Sequence, residues 1–399
     1  MTIPTIRRMH SIRLLPLAIA LATLAGCATA PPAVPVATPT ASAPPEAVLS
    51  FARWVADFRA TARAAGITEA TLQAALDPVQ ELPQVVQLDR VQPEFTRTVW
   101  DYLDTAASPQ RITRGQDKLL QVRAEADAAA ARYGVPATIL AAIWGMESNY
   151  GSNYGNTPTI DALATLGFEG RRADWARGQL LAALKIVQNG DIDRAHMVGS
   201  WAGAMGQTQF LPSNSLAYAV DADGDGKRDI WGSMADVMAS TAHFLARAGW
   251  QADQPWGTEV QLPPGFDVAR ADTSVRQPSQ QWAAEGVQTM VGAPLPVLPD
   301  AELLLPAGAR GPAFLVGPNF RVILRYNNST SYALAVSLLS QRLGNGPAVQ
   351  APWPRDLQAL TRSQLQALQT ALNARGFASG TPDGMMVPAT REALRRSQC

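Results

Sequence analysis

The clearest hydrophobic pattern in the chain lies between residues 136 and 151. Four apolar residues recur there at spacings of three and four, which places them on one face of an α-helix. They are Ile139, Leu140, Ile143 and Met146. Pro136 suits the first turn of a helix, and Gly151 is of the type that commonly follows a helix end. The pattern predicts a helix that begins near Pro136 and ends close to Gly151.

Glu147 lies on the same apolar face, near the predicted end of this helix. A carboxyl among apolar neighbours loses hydration when it ionises, so its pKa rises and it keeps a proton near neutral pH. A general acid needs this property. The alternative is that the side chain points to water beyond the helix end. Glu147 is thus the first candidate catalytic residue.

Helical patterns also dominate the rest of the chain. Amphipathic helices are predicted within 50–103, one helix covers 111–132, and a long helix covers 174–188. Residues 254–326 differ, because short apolar runs separated by Pro and Gly are typical of small strands. The predicted strands are 258–262, 301–305, 313–316 and 320–326. We therefore predict a mainly α fold of the α+β kind, with a small β subdomain.

Length and charge limit the classes of function. The chain has 399 residues, which indicates two or three structural units. Its 33 basic and 33 acidic residues balance, so charge does not favour nucleic acid as a partner. An uncharged or mixed partner is expected.

Residues 1–27 are predicted to be a secretory signal. A basic start precedes an apolar run from Leu14 to Leu24 that is too short for a comfortable membrane span. The run ends in LAGC (24–27), which resembles a bacterial lipobox and implies that Cys27 is lipidated. Acyl chains on Cys27 would hold the protein at a membrane without a spanning helix. An ordinary cleavable signal with an incidental cysteine is the alternative.

Two segments of biased composition divide the remaining chain. Residues 28–46 are nearly all Ala, Pro, Thr, Val and Ser, which is typical of an extended tether. Residues 344–355 are rich in Gly and Pro, and we interpret them as a linker to a small unit at 356–398. Cys399 is the only cysteine besides Cys27, so no internal disulfide framework is expected.

A second stretch of chemical interest lies at 199–213. Its small residues allow the backbone to approach another element or a ligand closely. They are accompanied by neutral hydrogen-bonding side chains, which suit sugars. These side chains are Ser200, Gln207, Thr208 and Gln209. A glycine-rich turn that packs between helices would have a similar sequence.

The acidic stretch DADGDGKRDIWG (221–232) matches a calcium loop of the EF-hand kind. Position twelve should be a glutamate but is Gly232, and Asp236 is the best substitute. The predicted ligands are Asp221, Asp223, Asp225, Lys227 through its carbonyl, Asp229 and Asp236. Because acidic side chains this close repel one another without a cation, structural Ca²⁺ is favoured over a plain acidic turn.

Five separated motifs, taken together, resemble the membrane-bound lytic murein transglycosylase B family, glycoside hydrolase family 103. They span roughly 50–342 and are WGMESNYG (144–151), DALATL (161–166), GSWAGAMG (199–206), QFLPS (209–213) and RYNNS (325–329). The tail at 356–398 is similar to a small three-helix peptidoglycan-binding domain, through LQTAL (368–372) and the Asp383-Gly384 pair. Met386 stands where that domain usually has glycine.

The resemblance implies a lysozyme-like helical core and a reaction that needs no cofactor. In the family one glutamate, matched by Glu147, protonates the oxygen between N-acetylmuramic acid and N-acetylglucosamine. It then takes the proton of the muramoyl 6-hydroxyl, and a 1,6-anhydro sugar forms without water. Ordinary glycosidases need two carboxylates. Here the remaining acidic cluster is committed to the loop at 221–229, which fits one acid that reverses its role.

The same resemblance implies the substrate-binding residues. Ser200, Gln209, Tyr326 and Asn327 would line the site, while Thr157, Arg172 and Tyr332 would contact saccharide. Asn327 or Ser200 would steady the acetamido group. Core packing is the alternative for Tyr332. Trp175 stands where the family has a tyrosine, so a stacking surface is kept and a hydroxyl contact is lost.

The predicted organisation has five parts. They are a signal and lipobox at 1–27, a tether at 28–46, a catalytic domain at 47–343, a linker at 344–355 and a peptidoglycan-binding domain at 356–398. Ala28 after the cysteine resembles lipoproteins sent on to the outer membrane, so we expect a monomer anchored by lipid at its periplasmic face. The expected partners are peptidoglycan glycan strands and the membrane. A non-catalytic peptidoglycan-binding lipoprotein and a lysozyme-like hydrolase are the alternatives.

Overall fold

The structure is a computed structural model that describes residues 50–90, 97–272 and 274–398. The predictions for the signal at 1–27 with Cys27, for the tether at 28–46 and for Cys399 lie outside these residues. Within the described part of the chain, no helix is both long and apolar enough to cross a membrane.

Helices form most of the described chain, so the prediction of a mainly α fold is confirmed. The α-helices are α1 (Phe51–Ala64), α2 (Glu69–Leu76), α3 (Pro83–Arg90), α4 (Val99–Ala106), α5 (Pro109–Gln121), α6 (Arg123–Tyr133), α7 (Ala137–Ser148), α8 (Thr159–Glu169), α9 (Ala173–Asn189), α10 (Pro212–Tyr218), α11 (Met234–Arg247), α12 (Ser279–Ala284), α13 (Pro318–Tyr326), α14 (Thr330–Leu343), α15 (Arg362–Ala374) and α16 (Pro388–Gln398).

The strands form two antiparallel sheets. They are β1 (Thr157–Pro158), β2 (Val198–Gly199), β3 (Gly257–Gln261), β4 (Gln288–Thr289), β5 (Glu302–Leu304) and β6 (Ala313–Val316). β1 pairs with β2, and the other four strands have the order β4-β3-β6-β5. The four-stranded sheet is the predicted β subdomain. Its apolar core surrounds the fully buried Trp282.

Helix α7 lies at the centre of the helical body. Gly134, in the left-handed conformation with φ 71°, follows α6, and Pro136 directly precedes α7, which confirms the predicted start of this helix. Residues 139–145 are all buried, because α5, α6, α11 and α14 pack around them. A helix that is apolar on every side belongs in a core. The core therefore fixes the helix that carries Glu147.

The glycine-rich stretch forms a tight turn beside β1. Thr157 pairs with Gly199, and an isolated bridge joins Gly199 to Met205. A Cβ on Gly199 would lie 2.0 Å from the Ala204 carbonyl oxygen, so only glycine fits there. This turn joins the two-stranded sheet to the centre of the protein.

The predicted strand at 320–326 is wrong, because these residues belong to α13. The short apolar run suits a strand, yet Phe320 and Ile323 are buried three positions apart on one helix face. Pro318 occupies the first helical turn, where its fixed φ is favourable. The Asn319 amide donates to two carbonyls of a preceding loop and holds that turn in place.

The single helix predicted at 111–132 is also wrong, since α5 and α6 are separate. Val122 leaves the helical conformation, with φ −110° and ψ 26°, and its side chain is buried. The interruption lets both helices pack against α7.

The unit at 356–398 contains α15 and α16, and the third helix implied by the resemblance is absent from its described residues. Gln369 is buried in α15 and organises the turn between the helices. Its Nε2 donates to the Met385 carbonyl and the Thr390 hydroxyl, while its Oε1 accepts the Gly384 N–H. Hydrogen bonds to one buried amide therefore hold the Asp-Gly turn.

Candidate active site

Glu147 lies one residue before the end of α7 and is partly exposed. Burial of its carboxyl raises the pKa of Glu147 to about 7 from the ordinary 4.5. The Tyr332 hydroxyl donates a hydrogen bond to Glu147 Oε1 at 2.5 Å, which lowers the pKa and limits the rise. Glu147 therefore holds and releases a proton near neutral pH.

Three tyrosines lie near enough to Glu147 for its charge to affect their pKa values. Burial is the main cause that raises the pKa of Tyr102, Tyr326 and Tyr332, and the negative charge of Glu147 is the second. Tyr332 comes from the first turn of α14, where its backbone N–H donates to Ser329 Oγ. Among the described residues no other carboxylate contributes to the Glu147 pKa. The site thus has one acid among phenol hydroxyls.

Tyr326 joins α13 to the glycine-rich stretch. Its hydroxyl donates to the Thr208 carbonyl at 2.7 Å, and its ring centroid lies 5.7 Å from that of Phe210. Asn327 follows as an exposed residue at the end of α13. The structure therefore brings Tyr326 and Tyr332 to Glu147, and it leaves the Asn327 side chain at the surface.

Gln209 and Ser200 hold the turn itself. Gln209 has φ 51°, an uncommon conformation for a residue other than glycine, and its Nε2 donates to the carbonyls of Tyr154 and Gly206. Ser200 Oγ accepts the Ala204 N–H at 3.1 Å. Both side chains thus have structural partners in addition to their predicted role toward sugar.

Trp175 and Arg172 form a separate group at the start of α9. The Arg172 guanidinium lies 4.5 Å from the Trp175 ring centroid, a cation–π contact. Trp175 and Trp201 are both partly buried against one small apolar cluster that includes Ala176. Trp201 follows Ser200 directly, so this cluster connects α9 to the glycine-rich stretch.

Tyr102 lies near the acid, whereas its sequence context favours a place in the core over a place in a ligand site. Trp100, Leu103 and Ala106 are the buried residues of α4, and Tyr102 lies off that face. Tyr102 is partly buried against the main core, so the helical spacing alone did not distinguish it from a core residue.

Three of the predicted calcium ligands come together. Carboxylate oxygens of Asp221, Asp223 and Asp236 lie within 4.8 Å of one another. Ca²⁺ binds oxygen at about 2.3–2.6 Å, so three oxygens at this separation fit around one ion. The carboxylates of two other predicted ligands, Asp225 and Asp229, are not part of this cluster. The donor set is the kind that Ca²⁺ prefers.

A helical body that presents one carboxyl of pKa about 7 among hydroxyl groups defines an acid–base enzyme site. The chain belongs to the transglycosylase SLT domain family, whose sequence profile matches residues 50–341. The resemblance inferred from the five motifs is thereby confirmed.

Individual relatives agree with this assignment. Membrane-bound lytic murein transglycosylase B of Escherichia coli is 38% identical over 216 residues, which cover 52% of this chain and 57% of the relative. The match therefore spans little more than half the length of that protein.

Two solved structures extend the comparison. SltB3 from Pseudomonas aeruginosa, in complex with NAG-anhNAM-pentapeptide, is 52% identical with a TM-score of 0.85, covering 88% of this chain and 94% of that one. Escherichia coli Slt35, in complex with calcium, is 31% identical with a TM-score of 0.61, covering 73% and 93%.

Proposed function

We propose that this protein is a lytic transglycosylase that cleaves peptidoglycan between N-acetylmuramic acid and N-acetylglucosamine. The observation that carries the proposal is the Glu147 carboxyl, whose pKa of about 7 suits both proton donation and proton acceptance, with no second carboxylate contributing to that pKa among the described residues. A hydrolase of the ordinary kind needs a second carboxylate. The SltB3 complex with an anhydro-sugar peptide supports the same reaction.

In the first half of the reaction, protonated Glu147 donates its proton to the bridging O4 atom. The C1–O4 bond of the muramoyl sugar breaks, and positive charge develops at C1. Glu147 becomes a carboxylate, and the Tyr332 hydroxyl stabilises it through the hydrogen bond to Oε1.

In the second half, the Glu147 carboxylate accepts the proton of the muramoyl 6-hydroxyl. The C1–O6 bond forms as that O–H bond breaks, so the product is a 1,6-anhydro sugar and Glu147 is protonated again. The reaction consumes no water molecule. One carboxyl thus acts first as the acid and then as the base.

We infer that the predicted binding residues contact the sugars around this acid. Tyr326 and Tyr332 are supported by their position beside Glu147. The other residues of this set are Thr157, Arg172, Trp175, Ser200, Gln209 and Asn327. The stacked Arg172 and Trp175 offer a flat surface of the type on which sugar rings pack.

Ca²⁺ is proposed as a structural ion at the acidic loop. Asp221, Asp223 and Asp236 would hold it, since their oxygens fit the coordination distances. The calcium complex of Slt35 supports this assignment. The ion's role would be to hold the loop before α11.

The remaining proposals concern location and organisation. LAGC (24–27) supports a lipid on Cys27, which would anchor a monomeric protein at the periplasmic face of the outer membrane. The name of the Escherichia coli relative, which is membrane-bound, supports membrane attachment. The unit at 356–398 is proposed to bind peptidoglycan and to keep the catalytic domain (47–343) on its substrate.

The test is mass spectrometry of the fragments that the purified full-length protein releases from peptidoglycan in detergent, beside its Glu147→Gln variant. Anhydromuramoyl ends from the wild type and none from the variant are expected. Reducing ends would indicate a hydrolase instead. Retained binding to peptidoglycan without release of fragments would support a non-catalytic lipoprotein.

A further inference from the structure

Gln207 is buried where three parts of the protein meet. Its Oε1 accepts a hydrogen bond from Trp144 Nε1 at 2.8 Å, and its Nε2 donates to the Trp231 carbonyl at 2.6 Å. Its backbone N–H donates to the Ile230 carbonyl at 2.8 Å. One side chain thus joins α7, the glycine-rich stretch and the chain that leaves the acidic loop.

Trp144, at one end of this connection, is close to Glu147 in the sequence. Trp144 lies three residues before Glu147, about one helical turn away, so a fixed indole fixes the turn that bears the carboxyl. A Cβ on Gly151 would lie only 2.2 Å from Gln207 Oε1, and Gly151 has φ 75°. The chain leaving α7 is therefore shaped to admit the Gln207 amide.

The residue after Gln207 contacts a second residue near the acid. The Thr208 carbonyl accepts a hydrogen bond from the Tyr326 hydroxyl, and burial together with the charge of Glu147 raises the pKa of that hydroxyl. A displacement of Gln207 would therefore shift both Trp144, which supports the helical turn of Glu147, and the Thr208 carbonyl, which holds the Tyr326 hydroxyl.

We propose that Gln207 is a positioning residue for the acid and base steps of Glu147. It acts by fixing the positions of Trp144 and Thr208 relative to each other. The proposal rests on the proposed lytic transglycosylase function. Since a small displacement of a reacting group sharply lowers the rate, the amide serves catalysis as well as packing.

The first experiment compares Gln207→Met with Gln179→Met in the full-length protein. Gln179 is a matched control, because it is equally buried and its amide also makes two hydrogen bonds, both to Ser213. Both variants lose a buried amide, so both should lower the melting temperature. Gln207→Met is expected to lower kcat by about 10- to 100-fold with KM changed less than about two-fold. Gln179→Met should keep kcat.

The second experiment uses Gln207→Glu, which keeps the side-chain shape. When protonated, the introduced carboxyl donates to the Trp231 carbonyl and accepts from the Trp144 indole, as the amide does. When ionised, it has no donor for that carbonyl. Burial raises the pKa of such a group. The activity relative to wild type should therefore recover at acidic pH and fall as pH rises.

Three results would overturn the proposal. These are an unchanged kcat in Gln207→Met, an equal loss of kcat in both methionine variants, and a ratio of Gln207→Glu to wild-type activity that is constant with pH. If Gln207→Met does not fold, the pH dependence of the Gln207→Glu activity ratio still tests the proposal. An inactive wild type would overturn the proposed function and this role with it, whereas an active wild type beside an unaffected Gln207→Met rejects this role alone.

Discussion

At the scale of the residue, the burial that suits Glu147 to proton transfer also costs stability. The folded protein holds the Glu147 pKa at about 7, whereas an ordinary glutamate has 4.5. Between these values the unfolded chain has released the proton and the folded chain has kept it. The unfolded state then binds fewer protons, so the free energy of unfolding falls as pH rises through this window. Above about pH 7 the folded protein carries a buried charge that Tyr332 stabilises.

Tyr332→Phe removes the hydrogen bond that stabilises ionised Glu147. Because that bond lowers the pKa of Glu147, its loss raises this pKa, and the alkaline limb of the pH–rate profile moves to higher pH. The acid half of the reaction weakens, because a Glu147 carboxyl of higher pKa gives up its proton less readily, so kcat should fall about 10-fold, as expected for a bond of about 1.5–3 kcal/mol to a charged group that is partly replaced by solvent. The measurement is kcat against pH.

Tyr150→Phe is the matched control for this prediction. The Tyr150 hydroxyl is also on a buried ring, but it donates to the Arg111 carbonyl at 3.1 Å. Its removal should leave the pH–rate profile in place. An alkaline limb that does not move in Tyr332→Phe would contradict the assigned role of the hydrogen bond.

Sequence reasoning identified Glu147 but not the group that stabilises its charge. The helical spacing around Glu147 reports its neighbours within one or two turns, and that was enough to predict burial. Tyr332 is 185 residues away in the chain, so no local pattern links the two side chains. Core packing and saccharide contact were the available interpretations, and the hydrogen bond to the acid was found only in three dimensions.

At the scale of the element, α7 was predicted from the sequence and α13 was not. The difference is that several independent signals agree for α7. Pro136 and the three-to-four spacing place the start and the buried residues of α7 correctly, while the helix ends at Ser148, where Asn149 and not Gly151 is the left-handed cap. In α13 the apolar run is short, so its pattern alone fits a strand or a helix. The buried amide of Asn319 and the packing of α13 against α14 decide for the helix, and both depend on distant parts of the chain.

The acidic loop supports a prediction at this scale. Ca²⁺ should raise the melting temperature of the wild type, and a chelator should reverse the rise, by an amount equivalent to about 3 kcal/mol at a hundredfold excess over the dissociation constant. Asp236→Asn should lose most of this shift, because Asp236 supplies the buried oxygen of the three-aspartate cluster. Differential scanning calorimetry with and without Ca²⁺ measures the shift within each variant, so the cost of the substitution itself cancels.

Asp174→Asn is the control, since Asp174 is a fully exposed aspartate outside the loop. It should keep the whole calcium-dependent shift. An equal shift in wild type and Asp236→Asn would remove Asp236 from the site and leave the loop aspartates of the sequence motif as the ligands.

At the scale of the whole molecule, the linker at 344–355 is held against the body. The Glu259 carboxylate accepts the N–H groups of Gln350 and Ala351. The ring of Trp353 lies 6.4 Å from that of Trp100 and 6.5 Å from that of Phe314. A Gly/Pro composition predicts the absence of helix and strand, but it carries no information on such contacts. The small unit at 356–398 therefore follows a segment that is itself fixed.

Trp353→Ala tests whether these contacts hold the linker. The indole is partly buried against the core, so its loss should weaken the docking of 344–355 by about 2 kcal/mol. Limited proteolysis should then cut the linker roughly 30-fold faster, because cleavage follows the population of the opened segment. Arg355→Ala is the contrasting variant, since the Arg355–Asp104 pair is exposed and contributes little. Equal rates of cleavage in the two variants would mean that the glycine- and proline-rich backbone itself, together with Glu259, holds the linker in place.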